Sequence, residues 1–323
     1  MISHQNENDY SFRYSIYGLA VESTIEIPEL SPIDQKQCDV KIKLGAVPEQ
    51  LDGVERDFEW IAYSKSDCLL RIPNICRFLV ENGKSITVCP DPGAYRFSCS
   101  QELSADIRVF LLGSAFGALI HQRGWLPLHI SAVDSPSGVW AFTGASGAGK
   151  STIAGWIHRK MSWPMISDDV SVIQPELTEP LLFPGPRKLK LWQDAIDYLG
   201  CQDERFISDL SNTKKKQLFL SDRTVNQAKA LRALVLLEKS GEGEPPSLNR
   251  LSGVEAFNAC MSALYRPYMA EWFRNRKEIM ADLLSLCDRI DVYKFRRQWS
   301  LDVLPRQMSV IFNQIKSDSN SSL

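Results

Sequence analysis

The sequence has little of what most simple functional classes need. It has only four histidines, and its eight cysteines (Cys38, Cys68, Cys76, Cys89, Cys99, Cys201, Cys260 and Cys287) form no CxxC pair. The ligand spacing of a tetrahedral zinc site is therefore missing, and the thiols read as reduced core residues. No charge dominates: 37 Lys and Arg face 39 Asp and Glu, a formal net charge of -2. That balance excludes a polycation built for nucleic acid or an anionic membrane. Long apolar runs are also missing. The longest, residues 109–120, is too short to span a bilayer. The polar start, MISHQNENDY, lacks the apolar core of a signal peptide, so a cytoplasmic protein is expected.

What remains is an ordinary globular composition, 44% hydrophobic and 24% charged over 323 residues, enough for two domains. Residues 1–100 read as β-rich. Short β-prone runs at 10–17, 38–44, 68–72, 77–81 and 85–89 are separated by Asn, Gly, Pro and Asp, with a hairpin turn at Asn82-Gly83. An antiparallel layer is expected there. Ile107, Phe110, Leu111, Ala115, Ala118 and Leu119 recur at near-helical spacing, which predicts a helix over 103–123 ended by Gly124. This helix is assigned to a second domain spanning 101–316. Strands are predicted at 126–133, 139–143, 164–167, 230–238 and 291–296. Helices are predicted at 151–160, 254–265, 267–286 and 303–315, with a disordered tail over 317–323.

The chemistry concentrates after the strand 139–143. Gly144-Ala145-Ser146-Gly147-Ala148-Gly149-Lys150-Ser151 fits the P-loop (Walker A) pattern GxxxxGK[ST], with Thr152 following. Glycines let successive N–H groups curl toward an anion, and the next helix adds its N-terminal N–H groups. Lys150 neutralises β/γ-phosphate charge, and the Ser151 hydroxyl is placed to ligate Mg²⁺. The competing reading is a glycine-rich turn that binds nothing.

Ile166-Ser167-Asp168-Asp169 closes a short apolar strand. One carboxylate there suits a Mg²⁺ ion and the other suits a proton acceptor for an attacking hydroxyl. Adjacent strand residues point to opposite faces, so the pair can divide these roles if the backbone turns after the strand. A helix cap or turn is the plainer reading of Asp-Asp. His129 precedes the P-loop strand. It is either a satisfied structural residue or, if the strands are neighbours, a partner for an acid or phosphate. His121 and His158 fall on predicted helices and read as structural.

The ordered set Leu128-His129-Ile130-Ser131-Ala132-Val133, then 144–152, then Ile166-Ser167-Asp168-Asp169 resembles the catalytic domain of HPr kinase/phosphorylase and the wider HPr-kinase-like serine kinases. The likeness covers roughly residues 126–238. It implies a P-loop α/β fold with a mixed sheet flanked by helices, and ATP- and Mg²⁺-dependent phosphorylation of a serine hydroxyl on a protein or peptide. By that resemblance Lys150 and Ser151 handle phosphates and metal. Asp168 serves on the metal side, Asp169 is the base, and His129 assists it. Assembly into a homo-oligomer is also implied.

Residues 1–100 look unlike the N-terminal domain of HPr kinases and more like the leading segment of HPr-kinase-like proteins of peptide-tailoring gene sets, including lasso-peptide kinases. The residues 184–192 stand where bifunctional enzymes carry a glycine-rich signature loop. A serine-bearing acceptor other than HPr is therefore expected. Arg187, Lys188, Lys190 and the run Lys214-Lys215-Lys216 are candidate contacts for phosphate or an acidic substrate, with a solvated charged loop as the alternative for the run. Two other functions compete on the same residues: a small-molecule kinase, and a regulatory P-loop ATPase that would position water instead of an acceptor.

Overall fold

The computed structural model describes residues 12–91, 103–207, 214–220, 225 and 227–321. Cys99 and the ends of the predicted 10–17 strand and 317–323 tail lie outside the described residues. The chain divides into two compact units. One holds the described residues up to Gly124 together with Arg266–Arg274. The other holds Trp125–Ile207, the described residues from 214 to 265, and those from 275 onward.

The first unit is built on nine strands: β1 (Phe12–Ile16), β2 (Leu19–Ser23), β3 (Ser31–Pro32), β4 (Val40–Leu44), β5 (Arg56–Asp57), β6 (Ile61–Tyr63), β7 (Asp67–Ile72), β8 (Cys76–Glu81) and β9 (Ser85–Pro90). Their order is β3-β1-β2-β4-β9-β8-β7-β6-β5. Alternation works as expected on β8, where Cys76, Phe78 and Val80 are buried and the residues between them are not. Asn82 and Gly83 both take positive φ in the β8–β9 turn. The sheet is not purely antiparallel. β4 runs parallel to both β2 and β9, because long connections bring the chain back to the same sheet end instead of reversing it in a hairpin.

The helix predicted over 103–123 is α1 (Ala105–Phe110), a π turn at Leu111–Ala115, and α2 (Phe116–Gln122). It belongs to this first unit, so the division falls at Gly124 and not at residue 100. The reason is polar anchoring to the sheet. Gln122 donates to the Val80 carbonyl (3.0 Å) and accepts from the Gly83 N–H (2.7 Å). Arg123 donates to the Gly83 and Asp39 carbonyls at 2.7 and 2.8 Å.

The second unit contains β10 (Leu126–Leu128), β11 (Ser131–Ser135), β12 (Gly138–Thr143), α3 (Lys150–Met161), β13 (Met165–Ser167), β14 (Ser171–Ile173), β15 (Leu181–Phe183), β16 (Lys188–Trp192), α4 (Gln193–Leu199), β17 (Phe206–Ile207), β18 (Lys215–Phe219), β19 (Lys229–Lys239), β20 (Ser247–Leu251) and α5 (Gly253–Ala263). The chain then gives α6 (Pro267–Phe273) to the first unit and returns for α7 (Arg276–Arg289), β21 (Asp291–Arg297) and α8 (Leu304–Ser321). The single helix predicted over 267–286 breaks at Asn275, whose side chain caps α7 by accepting from the Lys277 N–H (2.9 Å). α8 continues to Ser321, through part of the expected tail. Its Asp318 is buried, 3.6 Å from Arg232.

β12 pairs parallel with β19, and β19 parallel with β21. β11 pairs antiparallel with β12 on one side and β13 on the other. β16, β18 and β17 form a separate three-stranded sheet. The chain is therefore mixed α/β. Ile153, Ala154 and Ile157 of α3 share one core with Trp140 and Phe142 of β12, Leu189 and Leu191 of β16, and Met308 and Ile311 of α8. The Ile, Leu, Met and Phe side chains among them each contribute roughly 1.5–3 kcal/mol on burial. The β12–α3 connection is thus held between elements that cannot easily shift. Among the described residues no helix is long and apolar enough to cross a membrane.

Candidate functional site

The connection from β12 to α3 is the glycine loop. Gly144 takes φ 138°, and a Cβ there would meet the Leu237 carbonyl oxygen at 2.9 Å. Gly149 takes φ 91° immediately before α3, and a Cβ there would lie 2.6 Å from Arg297 Nη2. Conformation favours glycine at both positions, and at Gly144 the Leu237 backbone also leaves no room for a side chain. The first-turn N–H groups of α3 have no acceptor within the helix and carry the positive end of its dipole. Ala148 N–H donates to the Ala145 carbonyl (3.1 Å). Lys150 is buried and donates to the Gly144 (2.9 Å) and Ala145 (3.3 Å) carbonyls. Burial lowers its pKa, with Asp168 pulling the other way.

β13 lies one strand beyond β11 and ends at Ser167. Asp168 follows, at 1% exposure. Its carboxylate accepts from the Ser131 hydroxyl and from the Lys190 N–H (2.7 Å). Burial pushes its pKa up against the pull of those bonds and of the Ser151 hydroxyl, which also reaches it. Asp169 sits at φ 75° in a tight turn, where the Val170 N–H donates to the Asp168 carbonyl (3.0 Å). The turn separates the two carboxylates. Burial works to raise the Asp169 pKa, but Lys188, followed by His129, Lys190 and Lys215, outweighs it and holds the carboxyl below the ordinary range.

His129 lies between β10 and β11, not inside the continuous strand predicted over 126–133. The two strands join different neighbours: β10 pairs with β14, β11 with β12 and β13. His129 N–H is fixed by the Ala263 carbonyl (2.6 Å). Its Nε2 lies 3.5 Å from Asp169 Oδ1. Burial and then Lys150 lower its pKa, with Asp169 opposing, so the imidazole is neutral near neutral pH.

A cavity of about 250 Å³ joins these parts. Ser146, Gly147, Gly149, Lys150, Ser151 and Thr152 line it together with His129 and Asp169. Asp168 stands behind, bonded to Ser131, which is also a lining residue. Four cationic side chains (Lys150, Lys190, Lys215 and Arg297) face two carboxylates (Asp169 and Asp194) on the wall, so the cavity favours an anionic guest.

Lys190 and Lys215, candidates in the sequence, do line the cavity, and Trp192, Arg297 and Trp299 join them without having been candidates. On β16, alternation sends Leu189 and Leu191 into the core and leaves Lys188, Lys190 and Trp192 on the other face. β18 pairs Lys215 with Trp192, its Nζ 5.2 Å from the ring centroid. Of the run 214–216, then, Lys215 lines the cavity, while Lys216 sits over Phe206 at 5.8 Å. Arg187 packs on the Phe219 ring at 5.2 Å, away from the cavity lining. Arg297 and Trp299 come from the end of β21, and the only sequence signal for them is an arginine and a tryptophan closing an apolar strand.

No family model matches this chain, and no curated protein matches it significantly.

The geometry permits three kinds of chemistry. The helix start and cations suit a polyphosphate. The neighbouring oxygens of Asp168 and Ser151 are hard donors that fit Mg²⁺, which takes one or two carboxylates and fills its shell with phosphate oxygens and water. Among the described residues no group of three or more His, Cys, Asp or Glu side chains is assembled that would make a protein-only cage. An ionised Asp169 beside a neutral imidazole can accept a proton.

Proposed function

We propose that the chain is an ATP-dependent serine kinase of the HPr-kinase-like type, acting on a protein or peptide. The observation that carries the reading is the arrival of Asp169, paired with His129, in the same cavity as Lys150 and the start of α3. In the proposed reaction the acceptor serine oxygen attacks the γ-phosphorus and its proton passes to the Asp169 carboxylate. The bond to the β–γ bridging oxygen breaks and ADP leaves. Asp168 and Ser151 would hold Mg²⁺, which would supply charge neutralisation at the phosphates. Lys150 leaves its loop carbonyls for the β/γ oxygens, and His129 orients Asp169 by hydrogen bonding.

The depressed basicity of Asp169 suits this role. Phosphoryl transfer passes through a loose transition state, so little base strength is needed before the P–O bond has largely broken. A carboxylate that stays ionised is always ready to take the late proton.

The test is mass spectrometry of proteins and peptides encoded beside this gene after incubation with the chain and MgATP. Phosphoserine should form, and Asp169→Asn should keep nucleotide binding while transfer drops on the order of 10³-fold. Release of ADP and phosphate at one rate with and without every acceptor, and no phosphorylated product, would replace the kinase reading with that of an ATPase.

A further inference from the structure

Arg297 ends β21 at 4% exposure. Its hydrogen-bond partners among the described residues are all neutral. Nη1 donates to the Gln298 carbonyl (2.9 Å) and the Gln307 side-chain oxygen (3.5 Å), and Nη2 donates to the Ala148 carbonyl (3.2 Å). Nε is buried and has no partner among the described residues. No described carboxylate forms an ion pair with it. Burial brings its pKa down to about 10, with no acid among the described residues offsetting it. The group is still a cation at neutral pH. A buried cation without a counter-charge is unfavourable until an anion completes it.

Its position says which anion. Arg297 lines the cavity beside the glycine loop. Nη2 occupies the space that a Cβ on residue 149 would need, so the guanidinium is seated directly on the loop backbone. A planar guanidinium is suited to two oxygens of one phosphate. We propose that Arg297 is a phosphate-binding residue, closing a clamp with Lys150 and the N-terminus of α3 around the polyphosphate chain. This rests on the loop being a phosphate site, as in the function proposed above. It adds a residue that neither the glycine pattern nor the acidic pair contains.

The test is thermal unfolding of the full chain titrated with MgATP, with inorganic tripolyphosphate and with adenosine. The wild type should be stabilised by both phosphate compounds and not by adenosine. Arg297→Met should unfold close to the wild-type temperature without ligand, since it removes a charge that lacks a counter-ion. Its affinity for both phosphate compounds should fall about tenfold to hundredfold. Arg297→Lys, which keeps charge and loses the fork, should lie between the two and serves if the methionine variant folds poorly.

Unchanged affinity in both variants overturns the proposal. So does a large loss of ligand-free stability with normal phosphate binding, which would make Arg297 a strap for the loop. Loss of MgATP affinity without loss of tripolyphosphate affinity would move its contact to the nucleoside and also overturn it. A wild type that responds to neither phosphate compound sinks the phosphate reading of the loop, and this assignment with it.

Discussion

Arg108 in the first unit and Arg297 in the second are both buried arginines, and their partners differ in kind. Arg108 Nε reaches the two carboxylate oxygens of buried Glu29 at 2.9 and 3.0 Å, and Nη1 donates to the Leu103 carbonyl. Arg297 meets carbonyls and an amide, with one N–H unmet among the described residues. The first charge is closed by another charge 79 positions away in sequence. It ties a loop to a helix. The second opens on a cavity already lined by lysines. A buried charge that is locally cancelled is a structural part, while one cancelled only by dipoles points to a missing ligand. The acids repeat the contrast. Glu29 faces one guanidinium, whereas Asp169 is held below the ordinary carboxylate range by Lys188 and by Lys190 and Lys215, the last two lining the cavity.

Three changes would break or sharpen that contrast. The largest effect is expected at Lys150. In the proposed reaction Lys150→Ala removes the charge that would reach the transferred group, and it should lower turnover by on the order of 10³-fold, with the melting temperature nearly unchanged. Steady-state ATP turnover measures this, and undiminished turnover would remove the loop from the chemistry. The next is Arg108→Met. It leaves Glu29 buried and unpaired and should cost about 3–5 kcal/mol in chemical denaturation, with little change in nucleotide affinity for molecules that remain folded. A stable variant with altered nucleotide binding would erase the distinction between the two arginines.

The smallest effect is at His129. Its folded pKa lies below the ordinary 6.5, so below that value the unfolded chain takes up a proton before the folded chain does. The stability from this group is present above 6.5 and lost as pH falls through the lowered value. His129→Asn should therefore flatten part of the loss in melting temperature as pH falls below the ordinary 6.5. It should also reduce transfer by about tenfold. An unaltered pH profile and unaltered transfer would leave His129 as a packing residue.

Much of the fold can be read from local pattern because the causes are local. Turn residues at 82 and 83, alternation on β8 and the glycine end of α2 are each decided within a few residues. Parallel pairing of β4 is not, because it depends on where a long connection returns. The helix break at Asn275 turns on one capping side chain inside an otherwise helical pattern. Late in α8, buried Asp318 meets the half-exposed Arg232 of β19, a contact made far along the chain.

By itself the sequence determined the glycine loop, its lysine and serine, and the adjacent aspartates at a strand end. These depend on backbone conformation and neighbouring residues. Only the tertiary structure decided that His129 meets Asp169, that Asp168 faces Ser131 and Ser151, and that Lys215 and Arg297 close the same cavity. Strand pairing, burial and the direction of a side chain on a paired strand are set by residues far along the chain. The charge that a cavity presents is a sum over segments that no single stretch contains.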